Sequence, residues 1–344
     1  MSIAVWLLIA VVASVVVWRG SDLLEGSAEQ LSLFYGLPPV VHGAMVVAIG
    51  SSFPELSSTV LATLLHGEFE LGLSVVVGSA IFNILVIPGL SGVMSDEGVL
   101  SDKELVYKDA QFYLISVAVF VLTFSFALIY NPDTTANGVN TLTGTMTRPL
   151  ALIPIALYLL YVFIQQQEVS DTELEDPPDD LRVGRQWGLL ALSLILVVVG
   201  VEGLVRAALF FGDTTGIPPF VWGITVLAGV TSVPDALISI RLARRGEGVV
   251  SLSNVLGSNI FDLLIAVPAG VLIAGSVAFQ FAVAVPLIGF LTLATIVLFA
   301  QLRTGLELSK LESWLLLVAY GAFVVWMILE QIGLMSLLPP TPTG

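Results

Sequence analysis

The sequence repeats itself, and that repeat limits the fold more than any other feature of the chain. Gly50-Ser51-Ser52-Phe53-Pro54-Glu55 returns as Val230-Thr231-Ser232-Val233-Pro234-Asp235, an offset of 180 (230 minus 50). Upstream, Pro38, Pro39, Val41, Gly43, Val46 and Ala48 meet identical residues at 218, 219, 221, 223, 226 and 228. A second pair follows in the same order, Gly78-Ser79-Ala80-Ile81-Phe82-Asn83 and Gly257-Ser258-Asn259-Ile260-Phe261-Asp262, at an offset of 179. The missing residue falls in the connecting loop. Two matched blocks at nearly one spacing identify an internal duplication.

Composition says where such a duplicated chain lives. Of 344 residues, 56% are hydrophobic and 11% charged, with a mean hydropathy of +0.98. Soluble domains carry roughly 25% charged residues, so the balance belongs to a polytopic membrane protein in a lipid bilayer. The absence of cysteine excludes disulfides, thiolate metal sites and thiol nucleophiles. Two histidines at unrelated positions argue against a histidine-rich transition-metal site. A net charge of −15 argues against nucleic acid as a partner. The N-terminus is apolar from Ile3 to Trp18 without a basic leader, and reads as a retained span, not a signal peptide.

A span needs about 20 mostly apolar residues, and ten segments qualify. The first runs from Ile3 and is expected to continue as one tilted helix to Phe34. The next four cover about Pro39–Leu65, Leu71–Val93, Phe112–Tyr130 and Pro149–Ile164. After an acidic, proline-containing stretch over Gln165–Arg185 come Gln186–Phe211, Pro218–Leu242, Val250–Ser276, Phe279–Leu302 and Leu311–Leu334. The expected architecture is an all-α polytopic membrane protein of ten transmembrane helices. Residues 1–165 form the first five-helix repeat, 166–185 an acidic linker and 186–344 the second repeat. An odd number of spans per half inverts the second copy, and transporters with inverted repeats place their sites at the midplane between copies.

Basic residues orient the chain. Loops after the odd-numbered spans carry Lys103, Lys108, Arg182, Arg185, Arg241, Arg244, Arg245, Arg303 and Lys310, while the even-numbered loops hold Arg148. The positive-inside rule then puts both termini outside and the linker in the cytoplasm of a cell with this protein in its plasma membrane.

Glu55, Asp235 and Asp262 fall well inside predicted spans, where a carboxylate costs several kcal/mol unless it meets a partner, an ion or water. Pro54 and Pro234 cannot donate to the carbonyls of Gly50 and Val230, which predicts broken helices and makes the carbonyls near Ala48 and Ala228 candidate ligands. Ser51 and Ser52 share a helix face with Glu55, as Thr231 and Ser232 do with Asp235; Ser79 pairs with Asn83 and Ser258 with Asp262 at i,i+4. Gly78 and Gly257 are expected to admit a close neighbouring helix. Hard oxygens of this kind bind Ca²⁺ and suit Na⁺. Three carboxylates carry a charge of about −3, which several Na⁺ would neutralise, while a single Ca²⁺ would leave about one negative charge or one bound proton.

These blocks resemble the α-repeats of the cation/Ca²⁺ exchanger superfamily, specifically the prokaryotic sodium/calcium exchangers. The resemblance rests on Ala48, Ser51, Ser52, Pro54, Glu55, Gly78, Ser79 and Asn83, with Ala228, Thr231, Ser232, Pro234, Asp235, Gly257, Ser258 and Asp262 in the second half. It implies a central Ca²⁺ site flanked by Na⁺ sites, and alternating access by sliding of spans one and six. Many prokaryotic members carry Glu where this chain has Asp235 and Thr where it has Ser51. The shorter acid and Asp262 resemble the potassium-dependent exchangers, which leaves K⁺ open as a further ion.

The sequence thus reads as a Na⁺/Ca²⁺ antiporter, not an enzyme, with Ca²⁺ and Na⁺ as transported substrates and no organic cofactor; a monomer is the expected unit. Glu55, Asp235, Asp262 and Asn83 would form the central ring. Ser51, Ser52, Ser79, Thr231, Ser232 and Ser258 with the Ala48 and Ala228 carbonyls would serve Na⁺. A proton-coupled Ca²⁺ antiporter of the same fold is the alternative, followed by a cation channel; an intramembrane hydrolase lacks a Ser–His pairing. Asp22 and Glu202, equivalent in the two halves, read as helix-end residues or as the lining of an ion access route. His66 reads as a loop residue, His42 as unrelated to the architecture, and the tryptophans at the ends of spans as interfacial anchors.

Overall fold

The computed structural model describes residues 2–36, 48–96, 98–132, 142–168, 182–332 and 334–335. It is nearly all helical: α1 (Ile3–Phe34), α2 (Ala48–Ser51), α3 (Phe53–His66), α4 (Phe69–Met94), α5 (Ala110–Tyr130), α6 (Arg148–Glu168) and α7 (Val183–Thr215) are followed by α8 (Pro219–Trp222), α9 (Ala228–Arg244), α10 (Gly248–Phe261), α11 (Val267–Ala274), α12 (Phe281–Arg303) and α13 (Lys310–Gln331). Among the described residues, nine helical stretches are long and apolar enough to cross a membrane. The expected second span is represented by α2 and α3. Its first part, with Pro38, Pro39 and His42, lies outside the described residues, as do residues 169–181 of the expected linker.

Burial sorts these helices. The apolar stretch of α4 is 94% buried whereas that of α1 is 17% buried. A helix apolar all round belongs in a core, and α4 is the central post of the protein. On α1, by contrast, Leu7, Leu8, Val11, Val12 and Val15 face outward, as a helix against lipid requires. The buried side chains form a large cluster around α4, α5, α6 and α10–α13. A smaller, separate one joins α1 and α7 to Ala62, Leu71, Val75 and Leu227. The long helix pair α1/α7 thus packs on the rest through its own apolar seam.

That seam is reciprocal. A Cβ built on Gly20 would stand 2.8 Å from Val197 Cγ2, and one built on Gly200 would stand 2.7 Å from Val17 Cγ2. Gly20 and Gly200 are repeat equivalents, as are Val17 and Val197, so α1 and α7 cross by the small-residue contact that lets membrane helices approach closely. The turns repeat as well. Gly67 ends α3 at φ 71° and its equivalent Gly246 follows α9 at φ 81°, a left-handed conformation that glycine adopts without steric cost.

The all-α expectation needs one correction. Four short strands form two antiparallel ribbons, β1 (Val99–Leu100) with β4 (Glu307–Leu308), and β2 (Thr143–Thr147) with β3 (Ser276–Gln280). Each is a chain segment entering the next helix, too short to leave a period-two signal in the sequence. β1 and β3 precede α5 and α12, and β2 and β4 precede α6 and α13. Each ribbon therefore pairs a strand from one half with its non-equivalent counterpart from the other.

Proline also acts differently from expectation in the second half. The first copy breaks as predicted, at Ser52 between α2 and α3. Helix α9 instead runs through Pro234, and the irregularity appears upstream as a π-helical segment over Gly223–Leu227. Two more π-helical segments occupy Leu105–Asp109 and Asp262–Ala266. Pro268 follows the last of these, and the Leu264 carbonyl that its ring would crowd lies within the widened turn.

Candidate cation-binding site

Glu55 enters the core because it sits in the first turn of α3, directly after the break at Ser52. Asp235 lies mid-way along α9, one residue beyond Pro234, and Asp262 opens a π-helical segment between α10 and α11. Turns of this kind are frequent at functional sites because they redirect side chains and leave carbonyls free. All three carboxylates are at most 2% exposed. Ser51, Ser52, Ser79, Asn83, Thr231, Ser232 and Ser258 are also buried. Gly78 of α4 makes the convergence possible, since a Cβ there would collide with the Ile224 carbonyl and lie 2.7 Å from Ala228 Cβ. Gly257 shows no such neighbour among the described residues, and the equivalent of Ile224, Ala44, lies outside them.

Hydroxyls stitch the two halves together around the acids. Ser51 Oγ lies 3.0 Å from Ser258 Oγ, and Ser79 Oγ lies 2.7 Å from Ser232 Oγ. Ser79 donates to Glu55 Oε1 at 3.1 Å, and Ser52 donates to the Ser258 carbonyl at 3.4 Å. Thr231 faces the Glu55 carboxylate and its equivalent Ser51 faces Asp235, so each half supplies a hydroxyl to the other half's acid. The Ala228 carbonyl accepts from Thr231 Oγ1 at 3.2 Å. Ala48 opens α2, three residues before Ser51.

What remains unpaired is more informative. Glu55 Oε2, Asp235 Oδ1, both Asp262 oxygens and Asn83 Oδ1 are buried without a hydrogen-bond partner. Among the described residues neither lysine nor arginine pairs with any of the three acids. Buried oxygens without donors carry a desolvation cost of several kcal/mol per charge that only a cation or a proton relieves. Among the described residues no three carboxylate or imidazole groups close into a preformed metal cage. A cation held here therefore draws on hydroxyl, amide and carbonyl oxygens too, the mixed set that hard ions accept.

The family profile described as Sodium/calcium exchanger protein matches residues 5–166 and 185–329. The chain belongs to the sodium/calcium exchanger protein family. Within this family, it is 25% identical over 352 residues to the sodium/calcium exchanger MaX1 of Methanosarcina acetivorans, covering 94% of this chain and 98% of that one. An uncharacterized membrane protein of Methanocaldococcus jannaschii is 29% identical over 252 residues, covering 72% of this chain and 76% of the relative. The fold matches that of the sodium-calcium exchanger NCX_Mj with a TM-score of 0.61 at 23% identity, over 94% of this chain and 99% of that one. Membership makes this a multi-pass membrane protein of the cation/Ca²⁺ exchangers.

Sequence reasoning missed Asn259, which replaces Ala80 of the first block. Its Nδ2 donates to the Ala80 carbonyl at 3.2 Å and to Tyr113 Oη at 3.1 Å, while its Oδ1 accepts from Asn83 Nδ2 at 3.0 Å. An amide within an apolar run was the available signal. Two other expectations need correction. Asp22 and Glu202 lie within α1 and α7, not at helix ends. His66 is the last residue of α3, not a loop residue, and its Nε2 lies 3.1 and 3.2 Å from the two Glu202 oxygens. Trp18 sits within α1, where Arg19 stacks over its ring, and Trp222 has its indole nitrogen buried.

Proposed function

We propose that this protein is a secondary active antiporter that exchanges Na⁺ for Ca²⁺ across the cell membrane by alternating access at the Glu55–Asp235–Asp262 site. The observation that carries the proposal is the group of five buried, unpartnered oxygens on Glu55, Asp235, Asp262 and Asn83, with no basic side chain paired to the three acids among the described residues. Glu55 and Asp235 would clasp Ca²⁺, with Asp262 and Asn83 completing its shell. Ser51, Ser52, Ser79, Thr231, Ser232, Ser258 and the Ala48 and Ala228 carbonyls would line the Na⁺ positions. Three carboxylates of charge about −3 are neutralised by several Na⁺, whereas one Ca²⁺ leaves about one negative charge or one bound proton; the two loads share ligands and exclude each other. That exclusion turns binding into exchange.

The inverted ten-span plan, with repeats over 1–165 and 186–344 around a linker at 166–185, is supported by the strand pairing. A two-fold axis exchanging the halves maps the β1–β4 ribbon onto the β3–β2 ribbon, and maps the Gly20–Val197 contact onto Gly200–Val17. The separate apolar seam of α1 and α7 is the surface along which a sliding step would occur. With the proposed orientation the β1–β4 ribbon, near Lys103, Arg303 and Lys310, would lie at the cytoplasmic side and both termini outside. The proposal takes Ca²⁺ and Na⁺ as substrates with no organic cofactor, and a monomer as the working unit.

The test is uptake of radiolabelled Ca²⁺ into proteoliposomes loaded with Na⁺, compared with K⁺-loaded vesicles at matched pH and with vesicles under a pH gradient. Uptake that requires internal Na⁺ and ignores the gradient supports the proposal. Uptake driven by the gradient alone assigns the same carboxylates to a proton-coupled antiporter, and flux without a counter-ion assigns a channel.

A further inference from the structure

The two halves match at the α1–α7 crossing but not beside it. At the crossing, Gly20 meets Val197 as Gly200 meets Val17. Next to it, Glu202 of α7 reaches His66, the last residue of α3, whose Nε2 lies 3.1 and 3.2 Å from the two carboxylate oxygens. An ionised carboxylate only accepts, so the ring donates from Nε2, and the bond holds whether or not the ring is charged. Arg206, one turn further along α7, also pairs with Glu202. The His66 and Glu202 side chains are 18% and 19% exposed, so water screens this contact less than it screens a surface ion pair.

The repeat equivalents of these residues exist, but they are apart. Glu202 corresponds to Asp22 at the offset of 180 (202 minus 22). His66 corresponds to Arg245 at the offset of 179 (245 minus 66), directly before the matched Gly67-Glu68 and Gly246-Glu247. Each half thus carries an acid on its long helix and a basic residue at the end of the helix that bears a site carboxylate. Asp22 and Arg245 are both exposed, and among the described residues neither makes an ion pair. Yet α9 packs on α1 as α3 packs on α7.

In an inverted repeat, the conformation that one half holds in one facing state is held by the other half in the opposite state. A contact made in one half only therefore marks the state. We infer that His66–Glu202 latches the state seen here, and that Asp22 pairs with Arg245 as its counterpart in the opposite-facing state. The inference rests on the alternating-access reading of the antiporter. Sliding of α1 and α7 along their apolar seam would break one pair and make the other, so each state keeps one tie between a long helix and a ligand-bearing helix.

The chain has no cysteine, so introduced pairs report proximity without background. His66→Cys with Glu202→Cys, and separately Asp22→Cys with Arg245→Cys, are treated in full-length protein in proteoliposomes with a short, membrane-permeant thiol cross-linker, because the replaced side chains span more than a direct disulfide. Rates are compared under Na⁺, under Ca²⁺ and without either ion. Both pairs are expected to cross-link, and the ionic condition that speeds one by about twofold or more slows the other. Should the His66 and Glu202 cysteine variants fail to fold, the second pair decides: adding His66→Ala removes the opposing latch and is expected to speed its cross-linking about twofold. No Asp22–Arg245 cross-link in vesicles that exchange Na⁺ for Ca²⁺ overturns the inference, as do rates that rise and fall together or a second pair indifferent to His66→Ala. Failure of the antiport proposal reads differently: wild-type vesicles would then show no Na⁺-driven Ca²⁺ uptake, whichever pairs cross-link.

Discussion

Asn83 Nδ2 donates to Asn259 Oδ1 across the boundary between the two halves, 3.0 Å away. The direction of this bond is set from the far side. Asn259 commits its amide nitrogen to the Ala80 carbonyl and Tyr113 Oη, so only its oxygen is left for Asn83. Asn83 must therefore present nitrogen to Asn259 and keep Oδ1 free, in register with the unpartnered acids. A residue that touches no ion orients one that would.

Replacing Asn259 should thus reach the site indirectly. Asn259→Leu removes three hydrogen bonds and frees Asn83 to rotate, costing about 1–3 kcal/mol of stability. Ca²⁺ affinity should fall roughly tenfold, read by calorimetric titration. An unchanged affinity in a folded variant would show that Asn83 needs no such guide.

Neutralising a carboxylate tests the centre itself. Glu55→Gln keeps the size and the Ser79 contact but removes the charge, and Ca²⁺ uptake into Na⁺-loaded vesicles should disappear while gel-filtration behaviour is retained. Since the buried charge was uncompensated, the variant should melt at or above the wild-type temperature in ion-free buffer. Normal uptake by this variant would remove Glu55 from the site.

Close approach of α4 to the π-helical segment over Gly223–Leu227 depends on Gly78. Gly78→Ala would press a methyl into the Ile224 backbone and is expected to cost about 1–3 kcal/mol. Gly321→Ala, where the structure shows open space, should stay within about 0.5 kcal/mol of wild type. Thermal unfolding in detergent compares the two directly.

The α1–α7 crossing offers a compensation test. Gly20→Ala should destabilise the protein, and Val197→Ala in the same chain should recover part of the loss by removing the methyl in its way. The coupling is expected at about 0.5–3 kcal/mol in a double-mutant cycle. Simple additivity would mean that the two residues do not meet.

The duplication, the spans and the identity of the acids were legible in the sequence because lipid penalises any unpaired polar group. A carboxylate kept in an apolar run, twice and at one spacing, carries its own signal. The prolines announced irregular backbone but not its form: a proline removes one donor locally, while whether the helix breaks, as at Ser52, or widens upstream, as before Ala228, depends on what packs against it. The ribbons, the reciprocal Gly20 and Gly200 contacts, the Asn259–Asn83 bond and the His66–Glu202 pair join residues far apart in the chain, and no local pattern encodes such a partner. Membership in the membrane, the repeat and the candidate ligands were thus determined by the sequence alone. Which oxygens are left without a donor, and so free for an ion, was decided only when the two halves met, because satisfaction of a buried polar atom is a property of its neighbours in space.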